Sequence, residues 1–285
     1  MMNIYFSVVI PSFNRLCYLK KSINSVLSQT YKIFEIIIID NNSNDGTQEY
    51  IKSLENNKIK LIHTINHGSI AKSRNIGIEN AKGNWISFLD SDDYWHPDKL
   101  KIVAENIIKE KPDLVSHDKY FIDSRDEILI NNNNNNNYKN KIINTNTLKY
   151  LISKKNLYTT SFTTIRKDFL KKNNLFFDER LELANVEDYD LWIRLTIKKV
   201  KVANIKSRLG YYRVHKNNSS KNHINQIKAA LYVKKKNLKY VLENQLFNFK
   251  DLLEMSIYYN IYFFYVKIKN ISYEVFRTKK KSNNV

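Results

Sequence analysis

Three carboxylates lie within four residues in the segment Phe88-Leu-Asp-Ser-Asp-Asp-Tyr-Trp95. Carboxylate oxygens suit Mg²⁺ or Mn²⁺, and such ions commonly keep coordination positions open for phosphate oxygens. A divalent ion held there would bridge a diphosphate and stabilise it as a leaving group. Alternatively, Asp90, Asp92 and Asp93 only cap the helix that follows. The type and spacing of these residues therefore leave a metal site and a helix cap both open.

A second acidic pair, Glu187 and Asp188, precedes a segment with apolar residues at Leu191, Ile193 and Leu195. On these residues alone, the pair is typical of favourable negative charge at a helix N-terminus. The pattern predicts a helix that starts at the acidic pair and buries its apolar face.

The elements that must position these residues are strands alternating with helices. Short apolar runs predict strands, and apolar residues at helical spacing predict helices between them. The predicted strands are 4–10 (ended by Pro11), 34–39, 59–63 and 85–89, and the predicted helices are 16–29, 48–54, 69–81 and one opening at Pro97. This alternation predicts an α/β fold with a mostly parallel central sheet covered by helices on both faces.

Polar residues follow three of these strands, at 11–15, 40–43 and 90–93. Ligands of such sheets bind beyond the carboxyl ends of the strands, near the switch in strand order. We therefore expect the three polar segments to meet at one binding site.

Six motifs stand in the order and spacing of family 2 glycosyltransferases, enzymes with the Rossmann-like GT-A fold. They are Val8-Val-Ile-Pro-Ser-Phe-Asn14, Ile39-Asp-Asn-Asn-Ser-Asn-Asp-Gly-Thr47, Ala71-Lys-Ser-Arg-Asn-Ile-Gly77, Phe88–Trp95, Glu187-Asp-Tyr-Asp-Leu-Trp192 and Tyr212-Arg-Val-His215. The chain resembles this family over residues 4–220. The resemblance implies a GT-A domain over 1–220, with a nucleotide-binding half (1–117), an acceptor-binding half (118–220) and a C-terminal helical extension over 221–285.

The resemblance also implies which residues bind the nucleotide. Asp40 matches the acid that hydrogen-bonds the base of the donor, typically uracil, and the next position, often another Asp, is Asn41 here. Arg74 matches a basic residue near the nucleotide and its diphosphate, where a guanidinium can pair with phosphate oxygens. The further nucleotide-binding candidates are Pro11, Ser12, Asn14, Asn42, Asp90 and Ser91.

For the chemistry, the resemblance implies one Mn²⁺ or Mg²⁺ ion and one general base. Asp92 matches the closer metal ligand, Asp90 lies near the ribose and the ion, and His215 matches a position that in some relatives approaches the metal or diphosphate. Asp188 matches the base that takes the proton of the acceptor hydroxyl in an inverting, single-displacement transfer. Trp85 is expected in the core, whereas a binding role is allowed for Trp95.

The implied function is transfer of a sugar from a nucleotide-diphosphate donor, a UDP-sugar by preference, to a glycan or lipid-linked glycan in surface polysaccharide, lipopolysaccharide or capsule synthesis. A metal-dependent sugar nucleotidyltransferase is an alternative, but it gives no reason for the Glu187-Asp188 motif. A catalytically inactive nucleotide-binding relative is another, against which the intact Asp90, Asp92 and Asp188 speak. No Gly-x-Gly-x-x-Gly, P-loop or zinc-ligand spacing is present, which argues against dinucleotide oxidoreductases, P-loop kinases and zinc sites.

Charge is concentrated in the C-terminal third. Of the formal net charge of +19, residues 199–285 contribute 19 Lys and Arg against 4 Asp and Glu. The segment from Tyr258 to Lys269, with Lys279-Lys-Lys281, resembles an interfacial helix that contacts an anionic membrane. A packing helix with a solvated Lys face is the alternative, and nucleic acid is not expected as a partner because no binding module accompanies the charge.

The cysteine content and the pattern of apolar runs bear on the cellular location of the chain. Only one cysteine, Cys17, is present, and neither a secretory signal pattern nor an apolar run of membrane-spanning length is visible. We therefore expect a cytoplasmic protein at the inner face of the cell membrane. The seven asparagines of 131–137 predict a solvated loop.

Overall fold

The computed structural model describes residues 4–129, 147–215, 223–244 and 246. Its strands are β1 (Phe6–Ser12), β2 (Phe34–Asp40), β3 (Ile59–His63), β4 (Trp85–Phe88), β5 (Tyr94–Trp95), β6 (Leu114–Ile122), β7 (Thr163–Arg166) and β8 (Val202–Arg213). Its α-helices are α1 (Leu16–Leu27), α2 (Thr47–Ser53), α3 (Ile70–Asn80), α4 (Lys99–Glu110), α5 (Thr147–Ser153), α6 (Lys167–Lys172), α7 (Glu187–Ile197) and α8 (His223–Glu243). The four strands and four helices predicted for the first half are thus confirmed, with ends that differ by one or two residues.

The described strands form one sheet in the order β3-β2-β1-β4-β7-β6-β8-β5. β1, β2, β3 and β4 pair in parallel, and β6 pairs in parallel with β8. β7 is antiparallel to both β4 and β6, and β5 is antiparallel to β8. Only β7 and β5 therefore run against the common direction, which confirms the mostly parallel α/β sheet.

The sequence predicted that Pro11 ends the first strand. Instead, Pro11 lies inside β1 and pairs in register with Ile39. The Val9 carbonyl accepts a hydrogen bond from the N–H of Leu89, so Val9 and Pro11 both face the β4 side of β1. β4 ends at Phe88. Pro11 is tolerated because its missing N–H falls where no neighbouring strand needs a donor.

Apolar side chains on both faces of the sheet form two core layers. Ile37 and Ile39 pack on the face that carries α3 and α7, whereas Ile36 and Ile38 pack on the face that carries α1 and α4. Successive side chains of a strand point to opposite faces, so a continuous run of isoleucines fills both layers. The predicted cover of helices on both faces follows from this pattern.

The predicted C-terminal extension begins with α8, which packs on α7. Val233 and Val241 are fully buried in the core layer next to α7. Lys236 joins Asp190 of α7 and Asp178, with 2.9 Å between its Nζ and a carboxylate oxygen of each. For α8, the interpretation as a packing helix applies. Two other predictions concern residues that the structure does not describe: membrane contact by 258–281 and a solvated loop at the asparagines of 131–137.

The predicted boundary between the nucleotide-binding and acceptor-binding halves, after residue 117, falls within β6. The division into these two halves stays a prediction about function. Within the described part of the chain, every helix is too short or too polar to cross a membrane.

Candidate active site

The polar segments after β1, β2 and β4 meet at the carboxyl edge of the sheet, as the sequence predicted. They border a cavity of about 630 Å³ whose lining includes Ser12, Asn41, Asp92 and Asp188. Parallel strands bring their carboxyl ends to one edge, so three segments that are distant in sequence share one cavity.

The turn between β4 and β5 is fixed by α1 and β8. The Ser22 hydroxyl of α1 lies 2.8 Å from the carbonyl oxygen of Ser91 and 2.5 Å from that of Asp93. The buried Asp93 carboxylate accepts a hydrogen bond from the N–H of Arg213 at 2.9 Å. Burial, followed by the nearby carboxylates of Asp92 and Asp90, holds the pKa of Asp93 well above its usual range. Asp93 therefore anchors the turn, and Asp90, Ser91 and Asp92 line the cavity.

Asp92 pairs with His215, which lies 123 residues further along the chain. His215 Nε2 is 2.9 Å from Asp92 Oδ2, and the imidazole stacks on the ring of Tyr18. The sequence placed both residues at the metal, and β8 brings them together because it ends at Arg213, beside the β4–β5 turn.

Arg74 is buried and bound by two carboxylates. Its guanidinium donates to Asp90 Oδ1 at 2.7 Å and to Glu187 Oε1 at 2.6 Å. Although burial lowers the pKa of Arg74, Asp90 and Glu187 together hold it above its ordinary value. Arg74 thus joins the acidic turn to the start of α7, and its contact with a diphosphate stays a prediction.

Asp188 lies at the N-terminus of α7 and lines the cavity. Its Oδ2 accepts hydrogen bonds from the Thr160 hydroxyl at 3.0 Å and from Asn156 Nδ2 at 3.3 Å, and its Oδ1 accepts the N–H of Tyr189 at 2.6 Å. Burial raises the pKa of Asp188, partly offset by the positive charge of Arg74. A carboxylate held by three donors and with a raised pKa fits a general base, the role that the sequence predicted.

The predicted nucleotide-binding residues occupy two kinds of position. Pro11 and Ser12 line the cavity, together with Arg74, Asp90 and Ser91. Asp40 is fully buried and holds the next turn, because its Oδ2 accepts from the N–H of Ser43 and from Gln48 Nε2. The Oδ1 atom of Asp40 and the Oγ atom of Ser12 are buried, and neither has a hydrogen-bond partner among the described residues. Ser12 lines the cavity, whereas Asp40 is not among the lining residues, so Ser12 Oγ is the atom of these two that a polar ligand in the cavity would reach.

Asn14 and Asn42, two further nucleotide-binding candidates, are not among the residues that line the cavity. Asn14 has a positive φ of 48°, and its Oδ1 accepts the N–H of Asn44 at 2.9 Å. Asn42 has a φ of 58°, and its Oδ1 lies 3.2 Å from His63 Nε2. Both asparagines shape the turns beside the cavity, since Asn tolerates the left-handed region better than most residues.

Trp95, for which a binding role was allowed, is a core residue. Its side chain is buried, its Nε1 donates to the Ser161 carbonyl at 2.8 Å, and Lys99 Nζ lies 3.7 Å from the ring centre. Trp85 is buried as expected.

Several cavity residues carry no signal that sequence patterns could reveal. Thr160 and Asn156, which hold Asp188, stand outside the motifs, and so does Asn66, which donates from Nδ2 to the Ser73 hydroxyl at 2.7 Å. Isolated polar residues such as these follow neither helical nor strand periodicity. Only the fold brings them to the cavity.

The residues at the β4–β5 turn fit a divalent cation that takes part of its shell from a substrate. Among the described residues, no three His, Cys, Asp or Glu side chains converge as a complete metal-binding group. Asp92 and His215 offer one carboxylate oxygen and one imidazole nitrogen. Mg²⁺ and comparable ions are commonly held by one or two protein carboxylates together with water and phosphate oxygens. Asp92 and His215 would therefore fill part of the coordination shell, and a bound diphosphate would supply further ligands.

Comparison with known proteins gives the family of the chain. A family model described as glycosyl transferase family 2 matches residues 7–173, a span that ends before Asp188 and His215. UDP-Glc:alpha-D-GlcNAc-diphosphoundecaprenol beta-1,3-glucosyltransferase WfaP of Escherichia coli is 30% identical over 221 residues, which are 78% of this chain and 82% of WfaP.

Other relatives match over shorter parts of their length. An uncharacterised glycosyltransferase of Rickettsia conorii, RC0461, is 44% identical over 115 residues, which are 40% of this chain and only 19% of that protein. Among solved structures, residues 1–349 of TarS from S. aureus, in complex with UDP-GlcNAc, superpose with a TM-score of 0.62 at 22% identity. The superposition covers 75% of this chain and 60% of that one, and it shows a shared GT-A fold.

Proposed function

This chain belongs to glycosyl transferase family 2 and is a glycosyltransferase, and on that premise we propose that it is an inverting enzyme with a nucleoside-diphosphate sugar as donor and a glycan or lipid-linked glycan as acceptor. The observation that carries the proposal is that Asp92 and Asp188 line one cavity, while Arg74 joins the residues next to them in its wall, Asp90 and Glu187. An inverting transfer needs two groups on opposite sides of the anomeric carbon. One stabilises the leaving diphosphate, and the other takes the proton of the incoming hydroxyl.

The donor is proposed to be a UDP-sugar. WfaP is named for UDP-Glc, and TarS was solved with UDP-GlcNAc. The unpartnered Asp40 Oδ1 is an acceptor suited to the imide N–H of uracil, and the unpartnered Ser12 Oγ belongs to the neighbouring strand, since Ser12 of β1 pairs in register with Asp40 of β2. Each would gain a partner on nucleotide binding, which would remove the energetic penalty of a buried polar atom without one.

In the proposed reaction, Asp188 takes the proton of the acceptor hydroxyl as its oxygen attacks the anomeric carbon. The glycosidic bond to the diphosphate breaks in the same displacement, and the nucleoside diphosphate leaves. Mn²⁺ or Mg²⁺ bound to Asp92, Asp90 and His215 would supply Lewis-acid stabilisation of the leaving charge. Arg74 fixes the orientation of the Asp90 carboxylate at the cavity through their hydrogen bond of 2.7 Å.

The acceptor is proposed to be lipid-linked, in the assembly of a surface polysaccharide such as lipopolysaccharide or capsule. WfaP acts on a diphosphoundecaprenol-linked sugar by name, and the basic C-terminal third of this chain suits an anionic membrane surface at the cytoplasmic face. Cosedimentation of the full chain with anionic and with neutral vesicles tests the membrane contact. Equal partition into both would contradict it.

A panel of nucleotide sugars, each with Mn²⁺ or with EDTA, tests the transfer. We expect release of a nucleoside diphosphate from one donor, and loss of that release in EDTA and in Asp92→Ala. Glu182→Gln, an exposed change near the cavity, is the control and should retain activity. Release of pyrophosphate from a nucleoside triphosphate and a sugar phosphate would instead identify a nucleotidyltransferase.

A further inference from the structure

Three lysines line the same cavity as the acidic turn: Lys154, Lys155 and Lys234, called here the lysine cluster. Lys154 and Lys155 follow the last residue of α5, and Lys234 lies in the middle of α8. None of them belongs to the sequence motifs of the family. Their meeting at one cavity is a product of the way α8 packs on the domain.

Lys234 is built into the site rather than placed on a solvated surface. Its side chain is buried, with 3% of the residue exposed, and its Nζ donates to the carbonyl oxygen of Lys154 at 2.7 Å. The ammonium group therefore fixes the backbone that carries Lys154 and Lys155.

The lysine cluster lies next to the proposed base. Asn156, which follows Lys155 directly, donates from Nδ2 to Asp188 Oδ2 at 3.3 Å. Asp90 and Asp92, at the leaving-group end, come from a different element, the β4–β5 turn, where Arg74 is bound to Asp90 at 2.7 Å. The cavity thus carries a second group of cations on the side of Asp188, where the acceptor would enter.

We propose that the lysine cluster is an anion subsite that binds a phosphate group attached to the acceptor sugar. The proposal rests on the proposed glycosyltransfer, since it assigns the Asp188 side of the cavity to the acceptor. Ammonium groups bind phosphate as point charges with up to three donors each. A phosphate held there would place the attached sugar against Asp188. A soluble sugar phosphate and a lipid diphosphate share this chemistry.

The first test compares three acceptors that carry the same sugar: a neutral alkyl glycoside, the sugar 1-phosphate, and the sugar linked through a diphosphate to the same alkyl chain. We expect KM to be lower for the phosphorylated acceptors by about tenfold or more, the effect of one charged hydrogen bond. Preference for the alkyl diphosphate over the sugar 1-phosphate identifies a lipid-linked source, and equal use of both identifies a soluble one. Equal KM values for all three acceptors would overturn the subsite.

The second test uses Lys155→Met, with Lys155→Arg as the charge-conserving variant and Lys171→Met on the exposed face of α6 as the matched control. Lys155→Met should raise KM for the phosphorylated acceptors by about tenfold more than KM for the neutral one, and Lys155→Arg should restore most of the loss. The Kd of UDP should stay unchanged. A weaker UDP affinity in Lys155→Met would instead assign the cluster to the donor diphosphate, and an equal rise in KM for all acceptors would reduce it to a structural role.

A binding measurement separates failure of the subsite from failure of the proposed function. Inorganic pyrophosphate, titrated in EDTA, should bind the native chain and Lys171→Met alike, and should bind Lys155→Met about tenfold more weakly. This result needs no turnover, so it stands even if the chain uses none of the nucleotide sugars. Equal affinities in all three proteins contradict the subsite, whatever the activity.

Discussion

Asp90, Asp92 and Asp93 have the same side chain, and the turn after β4 gives each a different environment. Asp93 is buried and anchors the turn through the N–H of Arg213, Asp90 is paired with Arg74, and Asp92 faces His215. The difference in burial and partner separates a structural carboxylate from two that line the cavity. Asp188 is a fourth case, in which burial raises the pKa and three hydrogen-bond donors orient the group.

The raised pKa of Asp188 predicts the acid limb of the pH–rate profile. A general base acts only when it is deprotonated, so kcat/KM should fall as pH falls through the pKa of Asp188 in the fold. That limb should lie above about 3.9, the ordinary value for an aspartate. Asp188→Asn should lower kcat by about 10²–10⁴-fold while the Kd of UDP stays unchanged. Full activity in Asp188→Asn, or a limb at the ordinary value, would assign the base to another residue.

At the scale of elements, α3 connects the two ends of the site. Arg74 on this helix reaches Asp90 and Glu187, and the next residue, Asn75, pairs its side-chain amide with both the N–H and the carbonyl of Phe177. Ser69 caps the start of the helix, because its hydroxyl accepts a hydrogen bond from the N–H of Lys72 at 3.2 Å. α3 therefore holds the segment before α7 against the nucleotide side of the sheet.

Gly77 sets how closely α3 approaches the sheet. A Cβ atom at this position would lie 2.3 Å from Cγ1 and 2.9 Å from Cγ2 of Val9, so a side chain forces the helix away from β1. Contacts this short should cost about 3 kcal/mol through overpacking, and helix propensity returns about 1 kcal/mol, so Gly77→Ala should lower the free energy of unfolding by about 2 kcal/mol. The midpoint of urea unfolding measures the change. Glu79→Ala, on the exposed side of α3, is the control and should leave the midpoint nearly unchanged. An unchanged midpoint in Gly77→Ala would contradict the close approach of α3 to β1.

Across the whole fold, the described residues of the two core layers include a lysine, Lys99, that the proposed chemistry does not use. Lys99 is fully buried, and its Nζ lies 3.1 Å from the hydroxyls of Ser87 and Thr164, which also hydrogen-bond each other at 2.7 Å. Burial holds the pKa of Lys99 well below its ordinary value. The lysine is therefore neutral in the fold over a pH range in which it is charged in the unfolded chain.

This difference makes the stability of the fold depend on pH. Between the depressed pKa in the fold and about 10.4 in the unfolded chain, unfolding takes up a proton, so the free energy of unfolding rises with pH across that window. Lys99→Met removes this slope, leaves Ser87 and Thr164 bonded to each other, and should stabilise the protein at pH 7 by about 1–3 kcal/mol. Urea unfolding of both proteins at pH 7 and pH 10 measures the difference. A variant that is less stable at both pH values would show that the contacts of the Lys99 side chain outweigh the cost of burying it.

Local patterns along the chain are enough to predict the alternation of strands and helices, the mostly parallel sheet and the edge at which the polar segments meet. Side chains two or about 3.6 residues apart share a face, and their spacing is visible along the chain. The pairing of polar residues, in contrast, appears only in the folded chain. His215 meets Asp92 across 123 residues and Arg74 meets Glu187 across 113, and no local pattern records contacts of that range. The same holds for the burial of Trp95, the place of Pro11 inside β1 and the lysine cluster, since each depends on which element packs beside it.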